Sequence, residues 1–329
     1  MSSLIVQPRA RLFHGHVWVY ALEIQKRLGD PKPGDVVRLQ DVRGKPLGSA
    51  IYNPKSQISA RLFSYRRQDL DLDFFMRRIE RAVKVRQEAG IDLNLCRLVW
   101  SECDGLPGVV VDRYGDFLVL QTLTLGMAQR QDMIVEALNE VLKPRGIIQR
   151  NEGAVRLAEG LEQVKGVVSG ETPEPFVVRY EGSAFHADLL EGQKTGLYLD
   201  QLDNYQQVAK LARGRRVLDC FCNQGGFAQA AALAGASEVT AVDISESAVA
   251  LAAKNAAISG AKIDFVAENC FDFLKRQESA DARYDLIILD PPSFTKSKSS
   301  VKDALRGYKE IHLRAMKMLE PGGIFATFT

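Results

Sequence analysis

The sequence has few of the residues that build disulfide frameworks or metal centres. Among 329 residues there are five cysteines, four histidines and two tryptophans. A small and odd number of cysteines argues against a disulfide framework and is typical of a protein in a reducing compartment. The histidines are scattered, with no HExxH motif and no Cys/His cluster at zinc spacing. We therefore expect neither a disulfide scaffold nor a metal site.

Long hydrophobic runs are also absent. No apolar segment reaches the roughly 18 residues that a membrane-spanning helix needs, and the first ten residues lack the apolar core of a signal peptide. With 46% hydrophobic and 26% charged residues, the composition is globular and excludes a disordered or collagen-like chain. We expect a soluble cytoplasmic protein of two or three domains with no membrane partner.

The formal net charge of +2 conceals an uneven distribution. Residues 1–70 hold 12 Lys and Arg against 5 Asp and Glu, whereas the rest of the chain is net acidic. A basic module on an acidic body indicates an anionic partner, and nucleic acid is the commonest one. A basic face that is merely solvated is the alternative that charge alone leaves open.

Sequence periodicity divides the chain into four parts. Residues 1–70 hold short β-rich segments between turns and predict a small β-barrel. Residues 71–183 begin with a helical pattern and predict a small central α/β domain. Residues 184–205, with a predicted strand at Thr195–Leu199, link into the last part. Residues 206–329 alternate strands with helices, which predicts a parallel, doubly wound sheet.

Four strands of the last part are predicted from their apolar runs, and a fifth ends the chain. They are Arg216–Phe221, Glu238–Asp243, Ile263–Ala267, Tyr284–Asp290 and Gly323–Thr329. The fifth run ends without a cap or a tail. We therefore expect a fragment of a longer α/β protein, with an exposed edge strand that lowers its stability.

Acidic residues end the first two strands of this region. Asp219 stands at the carboxyl end of the first strand, before a loop that contains Gly225 and Gly226. Paired glycines let the backbone approach a ligand and open a helix whose amides favour an anionic group. Asp243 follows 24 residues later, where a carboxylate binds both hydroxyls of a ribose. An adenosyl cofactor fits this pattern.

A dinucleotide cofactor is the competing interpretation, because NAD uses the same topology. NAD-binding loops normally carry G-x-G-x-x-G for the pyrophosphate, and here only Gly225 and Gly226 are present. The loop D-x-F-x-N-x-G-G favours instead a cofactor that carries an amino acid.

The fourth strand ends in a motif that suits base recognition. Asp290 is followed by Pro291 and Pro292 and then by Ser293 and Phe294. Proline fixes φ and lacks an amide donor, so this loop is rigid and its carbonyl groups stay free to accept from a base edge. Together with the two preceding acids, the position of the motif at the end of a strand favours a functional loop over a simple turn.

Four segments resemble a known family across nearly the whole chain. They are GHVWVY at 15–20 with YNPKSQI at 52–58, DGLPG at 104–108 with VDRYG at 111–115, GQKTGLYLDQ at 192–201, and DPPSF at 290–294 with RGYK at 306–309. The chain resembles the large-subunit ribosomal RNA methyltransferase I family, class I S-adenosylmethionine-dependent enzymes that make 5-methylcytosine in 23S rRNA. The resemblance implies an N-terminal PUA-like barrel, a central domain and a Rossmann-like catalytic domain.

The resemblance also implies roles for individual residues. Asp219 is expected to hold the methionine ammonium, directly or through water, and Asp243 the ribose. Asn269 is expected to meet the adenine amino group. The base is expected to be positioned by Asp290, Pro291, Pro292 and Phe294. The other positions expected to line the cofactor crevice are Lys194, Thr195, Gln201, Phe221, Cys222, Gly225, Cys270 and Asp290.

The nucleophile of the family's reaction is a cysteine. Carbon-5 of cytosine becomes reactive after a thiolate adds to carbon-6, and the family places that cysteine just after the fifth strand. This chain ends at Thr329, so we expect the cysteine beyond it and little or no turnover by the chain as printed. Cys222 lies in the cofactor loop, where a packing role fits better than that of nucleophile.

RNA binding is expected at two basic regions. The predicted barrel is expected to contact structured RNA through Arg9, Arg11, Lys26, Arg27 and Lys55, and the loop after the proline turn through Lys296 and Lys298. A purely structural barrel and a solvated loop are the alternatives. The resemblance further implies a homodimer.

Two other functions remain open from the sequence. The methyl group could go to a ring or exocyclic nitrogen of RNA, which needs no thiolate. The chain could also be a non-enzymatic RNA-binding or ribosome-assembly factor that keeps the cofactor fold. Fold alone does not separate these functions.

Overall fold

A computed structural model describes residues 2–7, 10–295 and 300–328, which form two compact units. Unit 1 comprises Met1–Glu174 and Asp188–Leu197. Unit 2 comprises Pro175–Ala187 and Tyr198–Thr329. The domain boundaries expected at residues 70, 183 and 205 stay predictions, because the two units divide the chain at other points.

The N-terminal part of unit 1 is a six-stranded sheet with the spatial order β2-β6-β5-β4-β1-β3. Its strands are β1 (Ser3–Val6), β2 (Trp18–Val19), β3 (Ile24–Leu28), β4 (Val36–Asp41), β5 (Pro46–Tyr52) and β6 (Ala60–Ser64), with a short helix α1 (Ala10–Phe13). Four of these, β2, β4, β5 and β6, match the β-rich segments that the sequence predicts at Val17–Tyr20, Asp35–Leu39, Leu47–Tyr52 and Ile58–Phe63. The sequence did not predict β1 and β3, since β1 has only four residues and four of the five residues of β3 are exposed.

Helix α2 (Leu72–Glu88) follows the sheet, as the helical pattern from Asp71 predicts. The Asp71 carboxylate accepts a hydrogen bond from the Phe74 amide at 2.8 Å, which caps the first turn. Phe75 and Ile79 are fully buried on the opposite side of the helix from its exposed charged residues. The amphipathic pattern of α2 therefore fixes which face enters the core.

The central part of unit 1 is a five-stranded sheet with the order β11-β10-β9-β8-β7. Its elements are β7 (Leu95–Trp100), β8 (Val109–Tyr114), β9 (Phe117–Thr122), α3 (Leu125–Ala128), α4 (Gln131–Leu142), β10 (Gly146–Asn151), α5 (Ala154–Ala158) and β11 (Val164–Gly170). One hydrophobic core joins this sheet to α2, α4 and the N-terminal sheet. The predicted central α/β domain is confirmed as a fold, although it shares its core with the N-terminal sheet.

The predicted strand Thr195–Leu199 is wrong. Residues 195–198 are turns and irregular backbone, and a short 3₁₀ turn follows at Leu199–Gln201. Lys194 at φ +50° and Gly196 at φ +137° adopt conformations that extended strands do not use. The backbone amide of Leu197 donates to the Tyr114 hydroxyl at 3.1 Å instead of to a neighbouring strand.

A buried polar network fixes this segment within unit 1. The Arg97 guanidinium donates to both oxygens of Asp112, at 2.7 and 3.0 Å. The Thr195 hydroxyl donates to Asp112 at 2.7 Å and lies 3.0 Å from the Tyr114 hydroxyl. Asp112, Tyr114 and Thr195 are all at most 2% exposed. Because each of these groups has a hydrogen-bond partner, the free-energy cost of burying them away from water is offset.

Unit 2 confirms the predicted parallel sheet, with the order β16-β15-β14-β17-β18 and every pair parallel. Its elements are β12 (Phe176–Tyr180), β13 (Ser183–Ala187), α6 (Leu202–Ala209), β14 (Arg216–Cys220), α7 (Gly226–Leu233), β15 (Glu238–Asp243), α8 (Glu246–Ser259), β16 (Asp264–Ala267), α9 (Cys270–Ser279), β17 (Tyr284–Leu289), α10 (Val301–Lys317) and β18 (Leu319–Thr327). The sheet is built outward from β14 in two directions.

This topology decides where a ligand can bind in unit 2. The chain runs from β14 to β15 and β16, and then returns to the other side of β14 with β17. The order reverses between β14 and β17, and ligands of open α/β sheets bind at the carboxyl ends of strands at such a reversal. Asp219 and Ile288 are register partners across this pair, so the two strand ends are adjacent.

Membrane-spanning helices and metal clusters are both absent from the described part of the chain. Within residues 2–7, 10–295 and 300–328, no helix is both long and apolar enough to cross a membrane. Over the same ranges, no three His, Cys, Asp or Glu side chains are grouped so that they could hold a metal ion.

We predict that Thr195→Val lowers the free energy of unfolding by about 1–3 kcal/mol, because it leaves Asp112 and Tyr114 with unsatisfied buried groups. Thr195→Ser keeps the hydroxyl and serves as the matched control, with a smaller loss. Urea unfolding of the three proteins measures the effect. Equal stability of the valine variant and the parent chain would show that the network does not stabilise unit 1.

Candidate active site

The first carboxylate of the site lies at the end of β14. Asp219 is fully buried. Its Oδ2 accepts a hydrogen bond from the Ala228 amide, in the first turn of α7, at 3.0 Å. Its Oδ1 is also buried and has no hydrogen-bond partner among the described residues. A buried charged oxygen without a partner is costly, and it indicates a position prepared for a donor that a ligand supplies.

The electrostatics of Asp219 agree with this interpretation. Burial raises the pKa of Asp219 well above its usual value, and the Ala228 amide opposes the shift. The carboxylates of Asp290 and Asp243 raise the pKa of Asp219 further, which places three acids near one another at this edge of the sheet. Such a cluster of negative charge favours a cationic ligand.

The loop between β14 and α7 has an unusual backbone. Phe221, Asn223 and Gly225 have φ values of +65°, +48° and +76°, although only Gly adopts this region without strain. The Cys222 amide donates to the Val242 carbonyl at 3.0 Å, and the Gly225 amide donates to the Cys222 carbonyl at 2.7 Å. Strained backbone that neighbouring strands hold in place is typical of ligand-binding loops.

The second carboxylate fixes this loop from the neighbouring strand. Asp243, the last residue of β15, accepts from the Asn223 amide at 2.9 Å and from the Ser245 amide at 2.9 Å. Each carboxylate oxygen has a second acceptor position, so Asp243 can also bind hydroxyl groups. Asp243 is only half-buried, which keeps its carboxylate within reach of a ligand.

Gly226 has a different role from the one its motif suggests. A Cβ atom at Gly226 would lie 2.3 Å from Cζ of Tyr205, so the glycine makes room for this aromatic ring. The Tyr205 ring also packs edge-on against Phe227, with centroids 4.6 Å apart. Burial, and then the nearby Asp219, raise the pKa of Tyr205 well above its usual value. The Tyr205 side chain is therefore uncharged and lies beside the carboxylates.

The third carboxylate begins the loop after β17. Asp290 is half-buried, and its Oδ2 accepts from the Gln201 amide nitrogen at 3.0 Å. Phe294, at the end of this loop, packs against Tyr308 of α10 with ring centroids 4.5 Å apart. Pro292 is exposed between these two anchors. The structure thus gives the Asp-Pro-Pro loop two fixed ends and an accessible middle.

The positions expected to contact adenine lie at the start of α9. The exposed Asn269 caps this helix by accepting from the Phe271 amide at 2.9 Å. Cys270 is buried, and its thiol donates to the Val242 carbonyl at 3.7 Å. The adenine contacts themselves stay predictions.

The structure brings together most of the expected cofactor residues, but not all of them. Gln201, Asp219, Asp243 and Asp290 are linked by hydrogen bonds or mutual charge effects in unit 2. Lys194 and Thr195 belong to unit 1. The Thr195 hydroxyl is engaged by Asp112 and Tyr114 there.

The expected RNA-binding residues can be located in part. Lys26 and Arg27 are exposed on β3, with the Arg27 guanidinium 5.6 Å from the centre of the Tyr52 ring. Lys55 is exposed in the turn after β5. Three expected cations, Arg9, Lys296 and Lys298, lie outside the described residues, as does the side chain of Arg11.

Sequence reasoning missed three tyrosines of the site. Tyr205 packs on Gly226, Tyr308 holds Phe294, and the pKa of Tyr198 is raised by burial and by nearby acids that include Asp290 and Asp243. The place of Tyr308 in the RGYK segment is a sequence signal for its role, whereas the roles of the other two depend on tertiary contacts.

The residues present fit the adenosyl cofactor that the resemblance implies. The unpartnered Oδ1 of Asp219 suits a cationic amine, and the remaining acceptor positions of Asp243 suit ribose hydroxyls. Gly225 supplies a backbone conformation that admits close approach. The arrangement can hold a cation at the centre of the sheet edge and a planar group against the loop after β17.

We predict that Asp219→Asn raises the free energy of unfolding of the ligand-free chain by about 1 kcal/mol at neutral pH, as substitutions that relieve strain at functional sites commonly do. Because the pKa of Asp219 is raised, the folded chain binds this proton more readily than the unfolded chain, and stability falls as pH rises towards the raised value. The gain should therefore shrink at acidic pH. Chemical unfolding at both pH values measures it, and a variant less stable than the parent at neutral pH would contradict it.

Family models match two parts of the chain. Residues 161–328 match the S-adenosylmethionine-dependent methyltransferase family, and residues 7–65 match a PUA-like domain. The first match covers unit 2 and the second covers most of the N-terminal sheet. The cofactor of the methyltransferase domain is S-adenosylmethionine.

Solved structures agree with this fold. The chain is similar to a methyltransferase from Streptococcus mutans, with a TM-score of 0.82 and 24% identity over 99% of this chain and 85% of that one. It is equally similar to a methyltransferase solved in complex with SAH, with a TM-score of 0.83 at 24% identity over the same shares. At this identity the likeness shows the fold.

Curated relatives are closer in sequence. The chain is 40% identical to the ribosomal RNA large subunit methyltransferase I of Aeromonas hydrophila, over 100% of this chain and 85% of the relative. It is 38% identical to the protein of the same name from Erwinia tasmaniensis, over 97% of this chain and 82% of the relative. The chain therefore belongs to the ribosomal RNA large subunit methyltransferase I family.

Proposed function

We propose that the protein transfers a methyl group from S-adenosylmethionine to carbon-5 of a cytosine in large-subunit (23S) ribosomal RNA. The observation that carries the proposal is the buried, unpartnered Oδ1 of Asp219 beside two further carboxylates, at the topological reversal of a methyltransferase sheet. The RNA substrate is supported by the names of relatives that are 38–40% identical over nearly the full chain.

In this proposal, the acids at the strand ends bind different parts of the cofactor. Asp219 receives the methionine ammonium, directly or through water, and Asp243 receives the ribose hydroxyls. Asn269 and the Cys270 amide meet the adenine. The remaining cofactor contacts are assigned to residues of unit 2, namely Gln201, Phe221, Cys222, Gly225 and Asp290. When bound, the cofactor supplies a methyl group on a positively charged sulfur.

The loop after β17 positions the target base. Its ends are fixed by the Gln201–Asp290 hydrogen bond and by the packing of Phe294 on Tyr308. The prolines at 291 and 292 lack amide donors, so the loop presents carbonyl acceptors to an exocyclic amino group. A base inside an RNA helix must leave its stack to reach such a loop.

The reaction also needs a thiolate, and the buried cysteines of unit 2 are poorly suited to supply one. Burial, and then the Asp219 and Asp243 carboxylates, raise the pKa of Cys222 well above its usual value. The pKa of Cys220 is raised by its hydrogen bond to Cys270 and by burial. We therefore do not assign the nucleophile to either of these cysteines.

In the proposed chemistry a thiolate adds to carbon-6 of the cytosine, which makes carbon-5 nucleophilic. Carbon-5 then bonds to the methyl carbon as the bond from that carbon to the positively charged sulfur breaks, and the sulfur leaves as a neutral thioether. A base takes the carbon-5 proton, and the electron pair of that C–H bond expels the thiolate from carbon-6 and restores the aromatic base.

For the cofactor, we predict that Asp243→Ala weakens S-adenosylmethionine binding by about 10- to 100-fold, because it removes charged hydrogen bonds to the ribose. Asp264→Ala is the matched control, since this exposed acid begins β16 at the opposite end of the sheet. Isothermal titration calorimetry of the three proteins gives the dissociation constants. An unchanged dissociation constant for Asp243→Ala would contradict the assignment of the ribose to Asp243.

For the reaction, we predict that protein expressed from the complete reading frame methylates carbon-5 of one cytosine in a large-subunit rRNA transcript. Transcripts with 5-fluorocytidine should form a covalent adduct, because fluorine replaces the proton that must leave. Mass spectrometry locates the methyl group and the adducted cysteine, and a Cys→Ser variant at that cysteine is the control, with no adduct.

Other outcomes of this experiment would change the proposal. A methyl group on a nitrogen, without an adduct, would establish nitrogen methylation. S-Adenosylmethionine binding with no transfer to rRNA would indicate a non-catalytic RNA-binding or ribosome-assembly factor.

A further inference from the structure

Unit 1 has a second basic surface that the expected RNA contacts do not include. A cavity of about 610 Å³ lies between the end of β6 and helix α2, and it is lined by Arg66, Arg78 and Arg81. A neighbouring cavity of about 510 Å³ shares Arg78 and Arg81 and adds Arg77 and Lys84. We call the surface formed by these five cations, together with Tyr65, the arginine groove.

Helix α2 concentrates like charges along one face of this groove. Arg77, Arg78, Arg81 and Lys84 follow one another at spacings that place them on adjacent turns. Like charges at such spacings mildly destabilise a helix, and a bound anion would offset their repulsion. The charges of Arg81 and Arg77 contribute, after burial, to lowering the pKa of Arg78.

Arg78 is held in a fixed position at the floor of the groove. Its Nη2 donates to the Phe63 carbonyl at 3.0 Å, and its guanidinium lies 5.2 Å from the centre of the Phe74 ring. A Cβ atom at Gly105 would lie 2.9 Å from the guanidinium carbon, so this glycine leaves space for it. A guanidinium that is already ordered loses less entropy when it binds an anion.

The acidic side chains near the groove are mostly engaged by other partners. Glu102 accepts from Arg61 at 3.0 Å and from the Trp18 indole at 2.7 Å. Asp104 accepts from both terminal nitrogens of Arg86. Glu80 also lines the smaller cavity. Two of the cations lie beside acids of the same helix: Arg77 forms an ion pair with Asp73, and Lys84 Nζ lies 3.8 Å from Glu88 Oε1.

Two exposed arginines thus keep their charge available. Among the described residues, no acidic side chain lies within 4.0 Å of the guanidinium groups of Arg66 or Arg81. Both are exposed, and they approach one cavity from two places, the bend after β6 and helix α2. Tyr65 stands beside Arg66 with 62% of its surface exposed.

We propose that the arginine groove binds the phosphate backbone of the RNA substrate, with an unpaired base stacked on Tyr65. Guanidinium groups bind phosphate oxygens through two parallel hydrogen bonds, and an exposed aromatic ring beside cations is typical of sites for single-stranded RNA. Bound phosphates would relieve the repulsion among the cations of α2. The inference rests on the proposed function for the identity of the anion.

The test compares RNA binding by the full chain and by the double variant Arg66→Glu/Arg81→Glu, with a labelled large-subunit rRNA transcript as the probe. We expect at least about tenfold weaker binding, and a plot of log affinity against log salt that is shallower by about 0.7–0.9 for each phosphate that the variant no longer neutralises. The variant should stay folded, because a glutamate at 81 lies three and four residues from Arg78 and Arg77 and can pair with both.

Two further variants make the test specific. Lys143→Glu reverses an exposed cation at the end of α4, outside both cavities, and should bind RNA as the parent chain does. Tyr65→Ala should weaken binding several-fold with an unchanged salt slope, because stacking is not electrostatic, and Tyr65→Phe should restore it.

The outcomes separate this inference from the proposed function. Unchanged affinity and slope in Arg66→Glu/Arg81→Glu, or an equal loss in Lys143→Glu, would overturn the groove as an RNA site. Binding that depends on the groove, with no methyl transfer by protein from the complete reading frame, would contradict the proposed reaction and leave the groove supported.

Discussion

The carboxylate of Asp219 is the constraint on which the rest of the site depends. A parallel sheet that reverses its order beside β14 brings the ends of three strands together, and each of these ends carries an acid. Asp219 is fully buried, one of its oxygens lacks a partner, and the other two acids raise its pKa. In the proposed function a cationic ligand removes this cost, so the unfavourable free energy of the buried carboxylate in the free protein is recovered as affinity for the cofactor.

The surrounding structure keeps that carboxylate in place. Asp243 accepts two backbone amides and thereby holds the loop in which Phe221 and Asn223 have positive φ. Tyr205 fills the space that Gly226 leaves open. Unit 1 has a different kind of surface, in which Arg66 of the bend after β6 and two arginines of α2 line the same cavity. In the proposed function, the acidic residues of unit 2 bind the positively charged cofactor and the basic residues of unit 1 bind the negatively charged RNA backbone.

Much of this architecture could be predicted from the sequence. The apolar runs that become β14–β17 are each followed by turn residues, and Asp219, Asp243 and Asp290 stand at strand ends because buried parallel strands leave few other places for acids. The exposed strand β3 lacks an alternating pattern, so it was missed. Thr195 was expected in a strand, but its hydroxyl satisfies Asp112, a residue 83 positions away, and such a contact leaves no periodic signal. The arginine groove likewise exists only when β6 and α2 pack together.

The most direct test of the central claim is a crystal structure of the chain with S-adenosylmethionine bound. The account predicts that the methionine ammonium lies within hydrogen-bond distance of Asp219 Oδ1, or is joined to it by one water molecule, and that the ribose hydroxyls contact Asp243. A cofactor bound with its ammonium elsewhere, and with Asp219 Oδ1 still without a partner, would contradict it.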